Sequence, residues 1–162
     1  LPAYLAGVTV ERAVGEHTAD YLERKLFVPL EIPRPPMQLC PKGHFYGATG
    51  MELTAHELGM LGQLYLDQGV WNRKRILSEM WSREAVRRQV SNREGGYGYF
   101  FWVRPDGGFT IRGKWGQRCY VFPEAHTVVS WVSHLPEEER CRRQEELFTE
   151  AAMQEGLLPG ED

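Results

Sequence analysis

Few residues in this chain have the type and spacing to do chemistry. Cys40-Pro41-Lys42-Gly43-His44 pairs a thiol with an imidazole four residues on, which is half of a metal site, but no second pair at ligand spacing accompanies it. Cys119 with His126 or His134 would make a cysteine nucleophile and base. Cys119, however, falls inside an apolar run, where a small packing role is more usual. His56 follows Thr54 in Thr54-Ala55-His56-Glu57, the S/T-x-x-E form of a capping box, which puts it on the outside of a helix's first turn. No metal and no cofactor is called for by any of these patterns.

The elements that must position any site follow from periodicity and turn chemistry. The expected fold class is α+β, an antiparallel meander of about four strands preceded by several helices and packed by a C-terminal helix. Between Gly95 and Ser133, aromatic and β-branched residues gather into four runs, predicting strands over 97–104, 108–114, 118–123 and 126–133. Pro105-Asp106-Gly107-Gly108, Gly113 to Gln117 and Pro123-Glu124-Ala125 close the runs, so Gly113 to Gln117 reads as a hairpin turn with Trp115 packed on the sheet.

Upstream, Tyr4, Leu5, Val8, Ala13 and Val14 predict one apolar side of a helix that stops at Gly15. Thr18 is placed to cap a second helix carrying Tyr21, Leu22, Leu26 and Phe27, which the prolines from Pro29 onward end. Residues 29–53 hold prolines and glycines with little periodicity and predict a long irregular loop of the kind that lines clefts. A helix capped by Thr54 runs to Gly69. Ser78 caps another, with Met80, Trp81, Ala85 and Val86 toward its buried side. Ser91 to Gly96 is a polar link. After the strands, Leu135-Pro136 and the three glutamates that follow open a helix whose stripe is Leu147, Phe148, Ala151 and Ala152, closing at Gly156. By element type the chain divides into a mostly helical part, 1–94, and strands plus the final helix, 95–162, within one structural unit.

Composition narrows the function classes. At 162 residues, 42% hydrophobic, 25% charged and a net charge of −3, the chain is an ordinary globular domain with no electrostatic case for nucleic acid or an anionic membrane. No apolar run reaches the length of a membrane span, and Leu1-Pro2-Ala3 lacks the basic flank and apolar core of a leader. A start at Leu points to part of a longer chain. Cys40, Cys119 and Cys141, an odd number at wide spacing, favour a reducing compartment such as the cytoplasm over a disulfide framework.

Taken in order, a set of phrases resembles the C-terminal portion of the serine β-lactamase and penicillin-binding-protein-like hydrolases, within them the class C-type esterase and 6-aminohexanoate-dimer-hydrolase branch. They are Tyr4-Leu5-Ala6-Gly7-Val8, Leu26-Phe27-Val28-Pro29-Leu30-Glu31-Ile32, Cys40-Pro41-Lys42-Gly43, Leu61-Gly62-Gln63-Leu64-Tyr65-Leu66 and Gly69-Val70-Trp71-Asn72. Tyr97-Gly98-Tyr99, Gly113-Lys114-Trp115-Gly116-Gln117 and Tyr120-Val121-Phe122-Pro123-Glu124 continue the series. The resemblance implies a partial β-lactamase/transpeptidase-like fold and a small ester, amide or lactam as the parent's substrate.

In that family a Ser-x-x-Lys pair supplies the nucleophile and its base, and Tyr-x-Asn a proton shuttle. None of Ser78, Ser82, Ser91, Ser130 and Ser133 has lysine three residues on, and no tyrosine has asparagine two residues on. The resemblance places both elements before Tyr4, so no catalytic residue is expected in this chain. The third element, a Lys-Thr-Gly box at the cleft's edge, has two registers here: Lys114-Trp115-Gly116, or Ile111-Arg112-Gly113. The implied oxyanion donor is then the N–H of Gln117 or of Lys114. The resemblance thus nominates Gly113, Lys114, Trp115, Gly116 and Gln117 as the substrate edge. It also implies that strands from an N-terminal segment pair beside the run at 126–133. Thr127, Val128, Val129, Trp131 and Val132 are too apolar for a bare edge, so a second copy, an N-terminal piece or a rearranged terminus is expected to cover it.

Overall fold

A computed structural model describes residues 2–47, 49–93 and 95–159, so Leu1, Ala48, Glu94 and the last three positions of the expected 95–162 part lie outside the described residues. By packing, the chain forms two compact units, residues 1–53 with 71–76 and residues 54–70 with 77–162. The helices at 55–66 and 79–86 therefore belong to the same unit as the sheet.

The first unit is helical. α1 spans Pro2–Val14 and ends where Gly15 turns left-handed, as its glycine predicts, but it has no buried residue, and Leu5 and Val14 are exposed. α2 (Thr18–Leu22), a π-helical turn (Glu23–Phe27) and α3 (Val28–Leu30) follow without a break. Two expectations are corrected here. His17, not Thr18, occupies the N-cap position, because the Thr18 hydroxyl donates to the Gly7 carbonyl at 3.1 Å and ties α2 to α1 instead. Pro29 does not stop the helix: it follows the π-helical turn inside the continuous run, which ends two residues later at left-handed Glu31. The loop at 29–53 is also less irregular than expected, with antiparallel bridges Met37↔Met51 and Leu39↔Phe45. Left-handed Asn72 and Arg73 turn the chain between the two-residue strands β1 (Val70–Trp71) and β2 (Lys74–Arg75).

The second unit carries the sheet. α4 (Ala55–Leu66) begins with the full capping box: the Glu57 N–H donates to Thr54 Oγ1 at 3.2 Å and the Thr54 N–H to Glu57 Oε2 at 2.7 Å. α5 (Glu79–Val86) is capped by Ser78, as its sequence predicts, but it buries Ser82 and Ala85 while Met80 and Trp81 stay exposed. The strands are β3 (Val90–Asn92), β4 (Gly95–Tyr97), β5 (Trp102–Val103), β6 (Phe109–Arg112), β7 (Arg118–Phe122) and β8 (Thr127–Trp131), in that order across one antiparallel sheet. The meander and the helices around it agree with the expected α+β class, with six strands rather than about four. The run at 97–104 is not one strand. Phe100 adopts φ 68° and the Gly98 N–H donates to the Phe101 carbonyl at 2.8 Å, so the aromatic run folds back on itself as the β4–β5 hairpin. The polar link at 91–96 supplies β3 and the start of β4.

Side-chain alternation gives the sheet two covered faces. Phe109, Cys119 and Val121 point to the core shared with Leu58, Ala85 and Phe101, with Ile111 and Val128 packed against it. On the other face Tyr120 and Trp131 meet Phe148 of α6 (Glu138–Gln154), with ring centroids 4.5 and 4.9 Å away. That confirms Phe148 in the predicted stripe, whereas Leu147 is exposed. Among the described residues no helix is long and apolar enough to cross a membrane.

α4 lies close to β7 and β8 because Gly62 faces them. A Cβ there would stand 2.5 Å from Cys119 Sγ and 3.0 Å from Val128 Cγ1. The overpacking outweighs the helix propensity that alanine adds, so Gly62→Ala is expected to destabilise the fold by about 1–3 kcal/mol in denaturant unfolding. In a Cys119→Ala background the same change should cost clearly less; equal costs in the two backgrounds would refute this packing.

Candidate functional site

The stretch nominated as a substrate edge is the hairpin loop between β6 and β7. Arg112 pairs with Arg118 at the strand ends, and the Gly113 N–H donates to the Gln117 carbonyl at 2.9 Å. Between them Lys114–Gly116 make a tight 3₁₀ turn in which Trp115 is left-handed (φ 64°, ψ 25°). A bulky residue in that region costs about 1–2 kcal/mol, so the surroundings must hold it there. They do so through the Trp115 carbonyl, which accepts from Ser133 Oγ at 2.9 Å and from the Leu135 N–H at 3.1 Å. Gly116 is buried at φ 91°, and a Cβ on it would stand 2.5 Å from Ser133 Oγ.

Arg118 anchors the loop from below. Its Nη1 donates to the carbonyls of Gly113 (3.0 Å) and Gln117 (2.9 Å), and its Nε to Glu145 of α6 at 2.6 Å. Burial pushes the Glu145 carboxyl up, but the hydrogen bond and charge of Arg118 outweigh it and hold the group below the usual carboxylate range. The Tyr120 hydroxyl donates to the same carboxylate at 3.2 Å, and burial, with Glu145 beside it, pushes that phenol up to about 12.

The five nominated residues are therefore contiguous on one rigid loop, with Gly113, Lys114 and Trp115 exposed, Gly116 buried and Gln117 half-buried. Lys114 Nζ lies 4.7 Å from the centroid of the Trp115 ring, and His134 meets that ring edge-on at 4.6 Å. In the first register Lys114-Trp115-Gly116 forms the turn itself; in the second, Ile111 and Arg112 end β6 and Gly113 starts the loop. The role of Arg118 and Glu145 was not visible in sequence, because the pair is 27 residues apart and looks like ordinary surface charge.

The other candidates are dispersed. Cys119 is fully buried in β7, and burial pushes its thiol up to about 12. His126 sits in the turn before β8 with Nε2 3.5 Å from Asp67, and among the described residues no hydrogen bond joins His126 or His134 to Cys119. A cysteine–histidine nucleophile is thus not assembled. His56 is exposed on the first turn of α4.

In the first unit, Cys40 Sγ lies 3.5 Å from Tyr4 Oη. That hydrogen bond, with the N–H groups of Lys42 and His44, holds the thiol below its ordinary value. His44 does not join Cys40 as a ligand pair but turns to Glu11, at 3.1 Å from Nδ1, where His17 also sits at 2.9 Å. Among the described residues no group of three or more His, Cys, Asp or Glu is placed to hold a metal ion.

No protein-family model matches the sequence, and no curated protein matches it. Solved structures do. The chain superposes on a protein described as a 6-aminohexanoate-dimer hydrolase from Bacillus anthracis with a TM-score of 0.73 and 19% identity, covering 95% of this chain and 42% of that one. On a β-lactamase from Mycobacterium bovis the TM-score is 0.71 at 16% identity, covering 96% of this chain and 62% of the other. At such identities the likeness is one of fold: the chain has part of a β-lactamase-like fold, and it spans less than two thirds of either structure's length.

The two thiol environments predict an order of reaction. With Cys40 held down and partly accessible and Cys119 near 12, the buried thiol is thiolate to only on the order of one part in ten thousand at pH 8. Alkylation by iodoacetamide at pH 8, followed by peptide mass, should mark Cys40 early and Cys119 only after unfolding. Early labelling of Cys119 in the folded protein would contradict the burial described.

Proposed function

We propose that this chain is the C-terminal part of a β-lactamase-like serine hydrolase whose parent cleaves an ester, amide or lactam through an acyl-enzyme. The observation that carries the reading is the fold likeness itself, which takes in 95–96% of this chain but only 42–62% of two hydrolase-type neighbours. The serine pattern supports it, since none of the five serines has lysine at the third following position.

In this reading Gly113, Lys114, Trp115, Gly116 and Gln117 form the cleft's edge. The rigid turn suits them to it, because an oxyanion donor works by being fixed before charge develops. The N–H of Lys114 or Gln117 would face the oxyanion, Lys114 would meet a substrate carboxylate, and the nucleophile would come from outside residues 1–162. The partner segment, or a second copy of this chain, covers the β8 edge at 126–133. The chain by itself has little or no hydrolytic activity, because binding and oxyanion stabilisation without a nucleophile leave a small residual rate.

A second reading is a non-catalytic ligand- or protein-binding module on the same fold. It is favoured by the buried, unactivated state of Cys119, which leaves no cysteine–histidine pair assembled among the described residues of the second unit.

A fluorophosphonate or penicillin-type acylating probe separates the two. The chain alone should remain unlabelled. A longer polypeptide that carries Ser-x-x-Lys ahead of Tyr4 should be labelled at that serine and hydrolyse ester substrates; failure of such a polypeptide to label favours the binding module. Covalent labelling of any residue within 1–162 would reject the assignment of the nucleophile.

A further inference from the structure

The continuous helical run that begins at Thr18 stops on Glu31, a residue unfavourable there in two ways. A left-handed residue closing a helix is ordinarily glycine, because a Cβ is strained at φ 61°. A carboxylate at the C-terminal end also meets the negative pole of the helix dipole. No contact offsets either cost: among the described residues no ion pair or hydrogen bond engages the Glu31 carboxylate. Backbone strain with no structural compensation points to a use beyond the fold itself.

Glu31 lines a cavity of about 470 Å³ that lies wholly within the first unit. Its size falls in the range of small-molecule sites, about 300–1,000 Å³. One wall is the end of the helical run, with Val28 and Pro29; the other is the β1–β2 hairpin, with Trp71 and Lys74, and Ile76 just after it. Both walls are fixed. The Glu31 N–H donates to the Val28 carbonyl at 3.1 Å and the Ile32 N–H to that of Phe27 at 2.9 Å, while left-handed Asn72 and Arg73 set the hairpin turn. The lining between the charges is hydrocarbon in kind. Val28 is 64% exposed, and because Trp71 Nε1 is withdrawn from water, the carbon part of the indole faces the cavity. Lys74 is exposed and, like Glu31, joins no ion pair among the described residues. One cavity thus presents a fixed carboxylate, an ammonium and apolar surface, and the two charges do not neutralise each other by direct contact.

We infer that this cavity is a binding site for a small zwitterion with a hydrocarbon body, the chemistry of a dipeptide with apolar side chains. The ligand's ammonium goes to Glu31, its carboxylate to Lys74, and its side chains to Val28, Trp71 and Ile76. A neutral apolar molecule leaves both charges unmatched, and a simple cation or anion meets one charge of its own sign. The rigid walls keep the ordering cost of binding low. The site goes beyond the proposed function and stands wherever the nucleophile lies.

The test is a titration of the 162-residue chain, followed by amide and indole resonances, with L-leucyl-L-leucine and two derivatives. N-Acetyl-leucyl-leucine lacks the ammonium and leucyl-leucinamide lacks the carboxylate. L-leucyl-L-leucine should shift the resonances of residues 28–31 and 71–76, and each derivative should bind about fivefold more weakly. Glu31→Gln should weaken L-leucyl-L-leucine by that factor and leave N-acetyl-leucyl-leucine unchanged; Lys74→Gln should weaken L-leucyl-L-leucine and leave leucyl-leucinamide unchanged. Because glycine accepts positive φ, Glu31→Gly should weaken binding in the same way while raising the midpoint of thermal unfolding, which separates loss of the site from loss of the fold. No shift at those residues, equal binding of the three compounds, or substitutions that weaken all three alike overturns the inference.

Discussion

One guanidinium sets the position of the loop on which the functional reading turns. Arg118 of β7 reaches two carbonyls of the β6–β7 loop and the Glu145 carboxylate of α6, and both partners are largely withdrawn from water. Paired charges in such a place contribute little net stability, but removing Arg118 would leave both loop carbonyls and the Glu145 carboxylate without their shared donor. The pair therefore acts as a positional lock: loop, strand and C-terminal helix move together or not at all. The left-handed Trp115 and the buried Gly116 sit between the two anchored carbonyls and are held in turn by Ser133 and Leu135, which donate to the Trp115 carbonyl.

The rest of the second unit supplies the rigid ground beneath it. α4 approaches β7 and β8 at Gly62 and is tied to β8 by Ser130 Oγ, which donates to the Ala55 carbonyl at 2.7 Å. The two edges of the sheet are treated differently. β3 is three residues long and lies between Arg88 and Arg93, the sort of short, charged edge that discourages further pairing. β8 presents Thr127, Val128, Val129, Ser130 and Trp131, without a charge, a proline or a bulge. Such an edge carries none of these devices against further pairing.

Much of this was legible in the sequence, for physical reasons that differ by element. The capping box at Thr54, the Ser78 cap and the glycine stops at Gly15 and Gly156 are local chemistry, and each starts or ends a helix where its residues say, whereas α4 ends at Leu66 with left-handed Gln68 ahead of the expected stop at Gly69. The strands β6, β7 and β8 follow from alternation bounded by turn residues. The aromatic run at 97–104 misled because its composition fits one long strand equally well; only the left-handed Phe100 reveals the hairpin, and bulky residues give no advance sign of that conformation. Thr18 misled because its hydroxyl found a tertiary partner in Gly7 instead of a local one. The contiguity of the candidate loop was readable, but the Arg118–Glu145 lock was not, because its two members look like scattered surface charge until the sheet and α6 meet.

The central claim is that this chain is one side of a cleft, completed by a strand that pairs with β8. Hydrogen–deuterium exchange of the β8 amides, read together with the molecular mass in solution, tests it most directly. The account predicts that the outward-facing amides of Thr127–Trp131 are protected and that the mass exceeds that of one 18.7 kDa chain, or comes to exceed it when a preceding segment is supplied. A monomer whose outer β8 amides exchange freely, with or without that segment, would contradict it.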